Sequence, residues 1–451
     1  MSAEQESQMG RQQHPEVLRA FGGAYRDPAL QAYVEGIGGA LAAQSELAGQ
    51  PFTFTILDSD IVNAMALPGG YVYVTRGLLS LANSEAELAG VIAHEIGHVT
   101  ARHSAQRVSQ SMIAGLGLAI LGAVVDTPGL VDVAGLGAQA FLQKYSRDQE
   151  FEADTLGIRY MSRAGYDPAA MASFLDSLRR QAALEARLAG RSPDAVDAFN
   201  MMASHPRTVD RVQRAAEVAT SGPPGEGRLG ADDHLRRIDG MLYGDDPSQG
   251  VVRGRQFLHP TLGFAYEVPE GFNLINGRDN VVARHPDGAV IVFDGAPNPG
   301  GDMVTYLQRG WARGVRLAAM EPLDVNGMPA ATGMTRVDTG AGPMDARLVA
   351  IAFDQRAIYR FLFITPPAQT PAWNEPLRRT TYSFRPLGRD EAASVRPHRI
   401  DLVQVRPGDT VESLAASLPF ERLRLERFQA LNGLEPGEPL RPGRLLKTVV
   451  Q

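Results

Sequence analysis

The sequence predicts an α+β protein with three folded parts. Its 451 residues correspond to about three domains at about 150 residues each. Residues 1–220 are mainly helical in pattern, rich in Ala and Leu, with one short strand-like run. Residues 255–387 are rich in strand-like runs, and residues 388–451 are short elements separated by turn residues. Residues 221–254, which begin with the Gly- and Pro-rich Ser221–Gly230, are predicted to be a linker.

The composition excludes several classes of protein. Hydrophobic residues make up 44% and charged residues 21%, which is typical of a globular protein. The net charge of −7 provides no overall attraction to nucleic acid or to an anionic membrane. The chain contains no cysteine, which excludes disulfide scaffolds, thiolate zinc sites and cysteine nucleophiles. Because the net charge is negative, we expect no nucleic-acid partner.

No segment of the sequence is predicted to span a membrane. The longest apolar run, Met112–Val125, is followed by Asp126 and Pro128 and is shorter than the roughly 17–25 residues that a spanning helix needs. Residues 1–13 are polar and lack the apolar core of a secretory signal, so we expect a soluble protein without a leader as written. Met112–Leu142 is interpreted as a buried helical hairpin, with a segment that dips into a membrane surface or shields a peptide channel as the alternative.

The β-rich part is predicted to be a small α+β sheet domain. Turn residues centred on His285–Gly288 and on Asp354–Ala357 are flanked by apolar runs, which predicts two hairpins. Met303–Gly314 is predicted to form one helix between them. No cluster of catalytic residue types lies here, so we expect a binding or packing module.

The strongest chemical signal is His94-Glu95-Ile96-Gly97-His98. Ser84, with Glu87 three positions later, predicts a capping box that begins a helix just before it. Residues four apart share one helix face, so both imidazoles can reach the same cation. Glu95 lies beside them, where it can take a proton from a metal-bound water. With 9 histidines in the chain, a chance match is expected about 0.01 times.

A hydrolytic zinc site of this kind needs a third protein ligand, because the fourth position is kept for water. The acidic run Ser146–Gly157 contains Glu150, Glu152 and Asp154. From the residues alone, Glu150 and Glu152 are equal candidates, and a charged helix face without a ligand is the alternative. Asp154 lies one turn after Glu150, where it can orient a ligand histidine.

Three sequence elements occur in an order that resembles one family. Asn63–Gly77, the HEIGH helix and Glu150-x-x-x-Asp154 together resemble the HtpX and CAAX-prenyl-protease type of gluzincin metallopeptidase, and its soluble periplasmic, BepA-like members in particular. The resemblance covers about residues 14–215. It implies one Zn²⁺ per chain, held by His94, His98 and Glu150, with Glu95 as the catalytic base and Asp154 as a supporting carboxylate.

The resemblance also implies a substrate-binding strand. Tyr71–Thr75 alternates like a strand, and in this family an edge strand before the active helix pairs with extended substrate. The candidate substrate-binding residues are therefore Gly70, Tyr71, Val72 and Tyr73. An ordinary strand packed beneath the helix is an alternative that is compatible with the first.

Two further histidines need an interpretation. His103 lies five residues after His98, about 140° around an uninterrupted helix, so we expect a structural or surface role and not a ligand. His205-Pro206 with Arg211 resembles an H-P-x-x-x-x-R element of similar proteins, which implies catalytic roles for His205 and Arg211. His205 would be a plug ligand or an oxyanion stabiliser, and a His-Pro turn with a surface arginine is the alternative.

The C-terminal part resembles a LysM domain, which implies a β-α-α-β order. The resemblance rests on Val405-Arg-Pro-Gly-Asp-Thr-Val411, Leu414-Ala415, Leu431-Asn-Gly-Leu434 and Leu440-Arg-Pro-Gly-Arg-Leu-Leu-Lys447. Pro-Gly-Asp is predicted to close the first strand and Asn432-Gly433 to end the second helix. LysM-type modules bind glycans such as peptidoglycan, which is therefore a candidate partner. Because Phe420–Leu425 is inserted between the helices, a degenerate module that packs on the peptidase domain is the alternative.

The sequence therefore predicts a zinc endopeptidase that acts on polypeptides. The resemblance implies a periplasmic or envelope location and a role in the processing or quality control of envelope proteins. One alternative is a peptidase that cuts peptidoglycan cross-links, supported by the LysM resemblance. The other is a binding or chaperone-like scaffold whose metal site is latched by His205.

Overall fold

The computed structural model of the protein divides into two compact units. It describes residues 2–103, 145–188, 211, 213–217, 227–339 and 342–451. Of these, the first unit contains the residues up to Gly244 and those from Pro397 onward, and the second unit contains Asp245–Arg396. Met112–Leu142 and His205 lie outside the described residues, so the predictions for them stay predictions.

The first unit begins with helices that alternate with short strands. Its elements are α1 (Ala3–Ala20), α2 (Pro28–Ala42), β1 (Thr53–Leu57), β2 (Ala64–Leu67), β3 (Tyr71–Thr75), α3 (Arg76–Leu81) and α4 (Glu85–Thr100). Helix α2 shows how local sequence begins such an element, because the Asp27 carboxylate accepts hydrogen bonds from the N–H groups of Ala29 and Leu30. Pro28 occupies the first turn, where its missing N–H costs nothing.

Helix α4, which carries the HExxH motif, lies at the centre of the first unit. It begins at Ser84, as predicted, and the Ser84 hydroxyl accepts from the Glu87 N–H at 3.1 Å. The Glu87 carboxylate accepts instead from the N–H of Asn83, one residue earlier than the predicted capping box requires. Every residue from Glu85 to Val99 is buried. The motif is therefore held on a helix that is enclosed on all sides.

The strand Tyr71–Thr75 is the central strand of its sheet, and the prediction of an edge strand is wrong. Strand β3 pairs in parallel with β1 and antiparallel with β2, in the order β1-β3-β2. Gly69 and Gly70, with φ of 83° and 86°, make the tight turn from β2 into β3. Because both edges of β3 are already paired, Tyr71, Val72 and Tyr73 cannot add an extended substrate by β-augmentation, and the carbonyl of Gly70 accepts from Thr53.

The remaining elements of the first unit come from two distant parts of the chain. They are α5 (Arg147–Arg163), α6 (Ala170–Leu188), α7 (Ala231–Ile238), β4 (Leu242–Tyr243), β16 (His398–Gln404), α11 (Val411–Ala415), α12 (Arg424–Asn432) and β17 (Leu445–Val450). The C-terminal elements follow the predicted β-α-α-β order, and Gly433 ends α12 in the left-handed conformation. None of the helices within the described residues is both long and apolar enough to cross a membrane.

The C-terminal elements are part of the first unit's core, which differs from the predicted separate module at 388–451. Ile400, Phe428 and Leu446 belong to the same apolar cluster as the residues of α4. Strand β16 lies between β17 and β4, so the predicted linker 221–254 also contributes a strand. The linker contributes helix α7 as well, with His234, Leu235 and Ile238 buried. These contacts join segments far apart in the chain, and local patterns do not reveal them.

The second unit is built from two antiparallel sheets. The strands are β5 (Val251–Arg253), β6 (Gln256–His259), β7 (Phe264–Glu267), β8 (Asn273–Asn276), β9 (Asn280–Arg284), β10 (Val290–Pro297), β11 (Ala318–Val325), β12 (Met328–Thr339), β13 (Gly342–Ala352), β14 (Ala357–Thr365) and β15 (Arg385–Pro386). The larger sheet has the order β11-β12-β13-β14-β10-β9-β8 and the smaller one β15-β7-β6-β5. Both predicted hairpins are present, as β9–β10 and β13–β14.

Each face of the larger sheet packs against a different layer. Along β14, Phe361 belongs to a cluster with Phe257 and Phe264 of the smaller sheet, whereas the neighbouring Leu362 belongs to a cluster with Leu307. This alternation is what a strand buried on both faces requires. The predicted helix at Met303–Gly314 is present as α8 (Met303–Thr305), which continues as a π-helix over Tyr306–Trp311. The other helices are α9 (Thr370–Ser383) and α10 (Arg389–Ser394).

Candidate metal centre

Two helices, α4 and α5, carry the candidate ligands, and glycines let their backbones approach closely. A Cβ at Gly97 would lie 2.9 Å from the Ala153 carbonyl oxygen. A Cβ at Gly157 would lie 3.0 Å from the backbone nitrogen of His94. Because neither residue has a side chain, the HExxH face of α4 meets the acidic face of α5 directly.

Two imidazoles and one carboxylate converge between these helices. The Nε2 atoms of His94 and His98 are 3.0 Å apart. Glu150 places Oε1 3.3 Å from His98 Nε2 and Oε2 3.7 Å from His94 Nε2. All three residues are buried, and the three donor atoms lie within 4.8 Å of one another. Two histidine nitrogens and a carboxylate oxygen are the ligand set of many hydrolytic zinc sites, so these residues fit a divalent metal ion.

The structure distinguishes the two acidic candidates that the sequence left open. Glu150 lies in the ligand cluster, whereas Glu152 contacts His103 and its side chain is 59% exposed. Glu95 is completely buried on the same helix as the two histidines. Its negative charge acts on the Arg211 guanidinium, together with the charges of Asp154 and Glu150.

His94 is held by a buried ion pair. Its Nδ1 lies 2.8 Å from Oδ1 of Asp154. Arg211 donates from Nε and Nη2 to the two oxygens of Asp154, at 2.8 and 2.7 Å, and its Nη1 lies 2.8 Å from Glu150 Oε2. Burial by itself raises the pKa of Asp154, but Arg211 and His94 outweigh it and hold that pKa well below its ordinary value. Burial opposes the charge of Arg211, and the carboxylates nevertheless raise its pKa.

His98 is held by neutral rings. Its Nδ1 lies 2.9 Å from Nδ1 of His103, and its ring stacks on Tyr145 with 3.9 Å between centroids and 18° between planes. The other nitrogen of His103, Nε2, lies 3.3 Å from Glu152 Oε2. Burial lowers the pKa of His103, against the opposing effect of Glu152.

Sequence reasoning missed the contact between His103 and His98. The expectation that His103 is not in the ligand group agrees with the structure, since the donor cluster in the described residues contains His94, His98 and Glu150. The rotation of about 140° between His98 and His103 applies only to a continuous helix, whereas α4 ends at Thr100. Tyr145 likewise had no signal in the sequence, because nothing local indicates which aromatic ring will meet His98.

Of the other predicted site residues, His205 lies outside the described residues, the candidate substrate-binding residues are not part of the donor cluster, and Arg211 contacts that cluster. Tyr73 hydrogen-bonds through its hydroxyl to His14 Nδ1 at 2.8 Å, and the Tyr71 ring packs on the same histidine of α1. Arg211 is buried against Asp154 and Glu150, which is not the surface position of the alternative interpretation.

The candidate metal centre lies in a part of the chain that matches a known protein family. Residues 28–219 match the model of "Peptidase family M48". The beta-barrel assembly-enhancing protease of Yersinia pestis is 32% identical over 260 residues, which cover 55% of this chain and 51% of that protein. The protein of the same name from Escherichia coli (strain K12) is 30% identical over 233 residues, covering 50% and 46%. Mitochondrial metalloendopeptidase OMA1 of Arabidopsis thaliana is 39% identical over 128 residues, covering 28% and 26%.

The chain spans about half the length of the bacterial relatives that it matches. The matched range contains both histidines of the HExxH motif, Glu150, Asp154 and Arg211, and the family resemblance recognised in the sequence is confirmed there. The LysM resemblance lies outside this range and stays a prediction. Residues 28–219, which carry the candidate metal centre, are therefore similar to peptidase family M48.

Proposed function

We propose that the protein is a zinc-dependent endopeptidase that cleaves polypeptides of the cell envelope. The observation that carries the proposal is the buried group of His94, His98 and Glu150, with Glu95 beside it, inside a region that matches the model of peptidase family M48. A structural zinc site is usually closed by four protein ligands, whereas three leave a position for water. The group within the described residues has three members, which favours hydrolysis.

The chemistry divides between the metal and the protein. Zinc, when bound by His94, His98 and Glu150, supplies Lewis-acid polarisation of the scissile carbonyl and activation of a water. Glu95 takes the proton from the attacking water and passes it to the leaving amine. The burial of Glu95 excludes bulk solvent from this proton transfer.

Arg211 acts as a positioning residue in this proposal, which revises the catalytic role implied by the sequence. Its guanidinium binds both oxygens of Asp154 and one of Glu150. Asp154 in turn fixes the His94 ring through Nδ1, which leaves Nε2 for the metal. Arg211 therefore supports one ligand and orients another.

The substrate class and location rest on the relatives. Both bacterial relatives are named as proteases that enhance β-barrel assembly. These names support our proposal that the protein acts in the periplasm or at the cell envelope, where it would process or remove envelope polypeptides.

The test combines metal analysis with cleavage of casein, an unfolded protein. The full chain, Glu95→Gln and His205→Ala are purified side by side. Wild type is expected to hold one zinc per chain and to cleave casein, and Glu95→Gln to keep the zinc while losing activity by at least about 100-fold. A Glu95→Gln variant with wild-type activity would refute the assignment of the base, and a wild-type chain without zinc would refute the metal site.

The His205→Ala variant distinguishes the enzyme from a latched scaffold. More cleavage than wild type is expected if His205 is a latch on the metal site. Bound zinc without cleavage in either protein would favour the non-catalytic scaffold.

One observation favours a second candidate, cleavage of peptidoglycan cross-link peptides. The C-terminal β-α-α-β order agrees with a glycan-binding LysM-like module. The packing of these elements into the core of the first unit favours the degenerate alternative. Incubation of purified sacculi with the wild-type protein decides, because release of cross-link peptides is expected only of the second candidate.

A further inference from the structure

Helix α4 ends just after the metal motif, and His103, three residues beyond its end, contacts the ligand group. Helix α4 ends at Thr100, and the N–H of Arg102 donates to the Val99 carbonyl at 3.0 Å. Arg102 itself has φ of 59°, in the left-handed region that residues with side chains rarely occupy. Its guanidinium is ion-paired with Glu6 of α1. Because of the turn at Arg102, His103 does not occupy the position that a continuation of α4 would give it.

His103 is enclosed at the end of this turn. Its exposed fraction is 1%, and its Nδ1 lies 2.9 Å from the Nδ1 of His98. At that distance the two nitrogens share one proton, so one of them donates and the other accepts. The Nε2 of His98 faces His94 and Glu150 in the donor cluster. His103 therefore contacts His98 at Nδ1, the ring nitrogen that does not face the donor cluster.

The direction of these hydrogen bonds follows from the metal site. If Nε2 of His98 binds the metal, its ring proton must be on Nδ1, and Nδ1 donates to His103. His103 must then carry its own proton on Nε2, which lies 3.3 Å from the Glu152 carboxylate and donates to it. The two hydrogen bonds therefore run in one direction, from His98 to His103 and from His103 to Glu152.

We propose that His103 is a positioning residue that fixes the tautomer and the ring orientation of His98, with Glu152 as the terminal acceptor. The inference rests on the proposed metal site. On this side of the site, His103 lies between the candidate ligand His98 and the carboxylate of Glu152. The other candidate ligand, His94, contacts the carboxylate of Asp154 directly. Partners of this kind, when removed, typically cost 10–100-fold in metal affinity.

The test compares His103→Leu with His103→Asn. The two side chains are similar in size, but only Asn offers an oxygen that can accept from His98. Zinc dissociation constants are measured by chelator competition, and the absorption spectrum of the Co²⁺-substituted protein reports the ligand geometry. We expect His103→Leu to weaken zinc binding about 10–100-fold and to change the Co²⁺ spectrum, and His103→Asn to recover most of both. His285→Leu is the control, because His285 also contacts a carboxylate, Asp287 at 2.8 Å, but lies in the second unit.

Each outcome supports or overturns the inference. Wild-type affinity in His103→Leu, or equal weakening in both variants, overturns it and leaves the proposed function intact. A wild-type protein that binds no zinc fails the proposed function instead. Should neither variant fold, ¹⁵N NMR of the zinc-loaded wild type decides. Protons on His98 Nδ1 and His103 Nε2 are expected, and a proton on His103 Nδ1 overturns the inference.

Discussion

The two candidate ligand histidines are supported in different ways. His94 is backed by Asp154 and Arg211, which form a charged and fully enclosed pair. His98 is backed by neutral His103, from which the contacts lead to the exposed Glu152. Either support can fix a ring orientation. They differ in how much stability is lost when one partner is removed, because buried charges depend on their partners far more than neutral rings do.

The largest effect is expected when the charged support is broken. Arg211→Met leaves Asp154 and Glu150 buried next to each other without their cation. Removal of one partner of a buried ion pair typically costs about 3–5 kcal/mol, so we expect a loss of this size in the free energy of unfolding. Urea denaturation of the metal-free protein measures it.

The matched control for this experiment lies on the surface of α5. Arg159 pairs with Glu46, and both side chains are about half exposed, so Arg159→Met should cost less than about 1 kcal/mol. Similar losses in the two variants would show that burial of the charge does not set the cost of the His94 support.

A second buried cation tests whether the large cost is specific to ion pairs. Lys447 on β17 donates from Nζ to the carbonyl oxygens of Ser80, Leu81 and Ala82, at 2.7, 3.0 and 2.8 Å. Burial lowers the pKa of Lys447 to about 7, against the opposing effect of Glu87. Its bonds are therefore made to neutral carbonyls by a group that gives up its charge readily.

We expect Lys447→Met to cost about 1–3 kcal/mol, the typical loss for buried groups left without a partner. This is less than for Arg211→Met, and urea denaturation measures both. Arg444→Met is the control, because Arg444 is partly exposed and pairs with Glu438. A loss larger than that of Arg211→Met would contradict the ranking. A loss equal to that of Arg444→Met would show that the three carbonyls do not need Lys447.

The sequence predicted the grouping of the candidate ligands better than their supports, because the two depend on interactions of different range along the chain. The spacing of His94 and His98 places both on one helix face without any tertiary contact. Glu150 was chosen over Glu152 by family resemblance, since helix periodicity alone allowed both. The contact of His103 with His98 was not predicted, because Arg102 adopts a left-handed conformation at a position where the sequence has no glycine to indicate it.

The fold, too, was predictable where it depends on local sequence and not where it depends on contacts between distant parts of the chain. The hairpin around His285–Gly288 and the end of α12 at Asn432 were predictable, because each is a local turn. The central position of Tyr71–Thr75 was not, because it depends on a parallel pairing with Thr53–Leu57. The inclusion of the C-terminal elements in the core depends on contacts such as Lys447 with Ser80, which are far apart in the chain.

A fall in pH should remove the stability contributions of His103 and Asp154 over different pH ranges. We expect this effect to be smaller than those of the substitutions above. Burial lowers the pKa of His103 from its ordinary 6.5, so in the metal-free protein it stays neutral where an unfolded-chain histidine takes up a proton. The unfolded state then binds more protons, and stability is lost as the pH falls below about 6.5. The pKa of Asp154 is held well below its ordinary 3.8 by Arg211, despite burial. Its contribution is therefore present above that value and is lost only at lower pH.

The measurement is urea denaturation of the metal-free wild type and His103→Asn from pH 7 to pH 4. Each shifted group changes the free energy of unfolding by at most about 1.4 kcal/mol per pH unit, so the expected difference is of that order. His103→Asn should lose less stability than wild type as the pH falls below about 6.5, because it lacks the imidazole that burial keeps neutral in the folded protein, whereas Asp154 is present in both proteins. Parallel curves over the whole range would mean that His103 titrates like a histidine of the unfolded chain. The neutral support would then not differ from the charged one in the way that the geometry indicates.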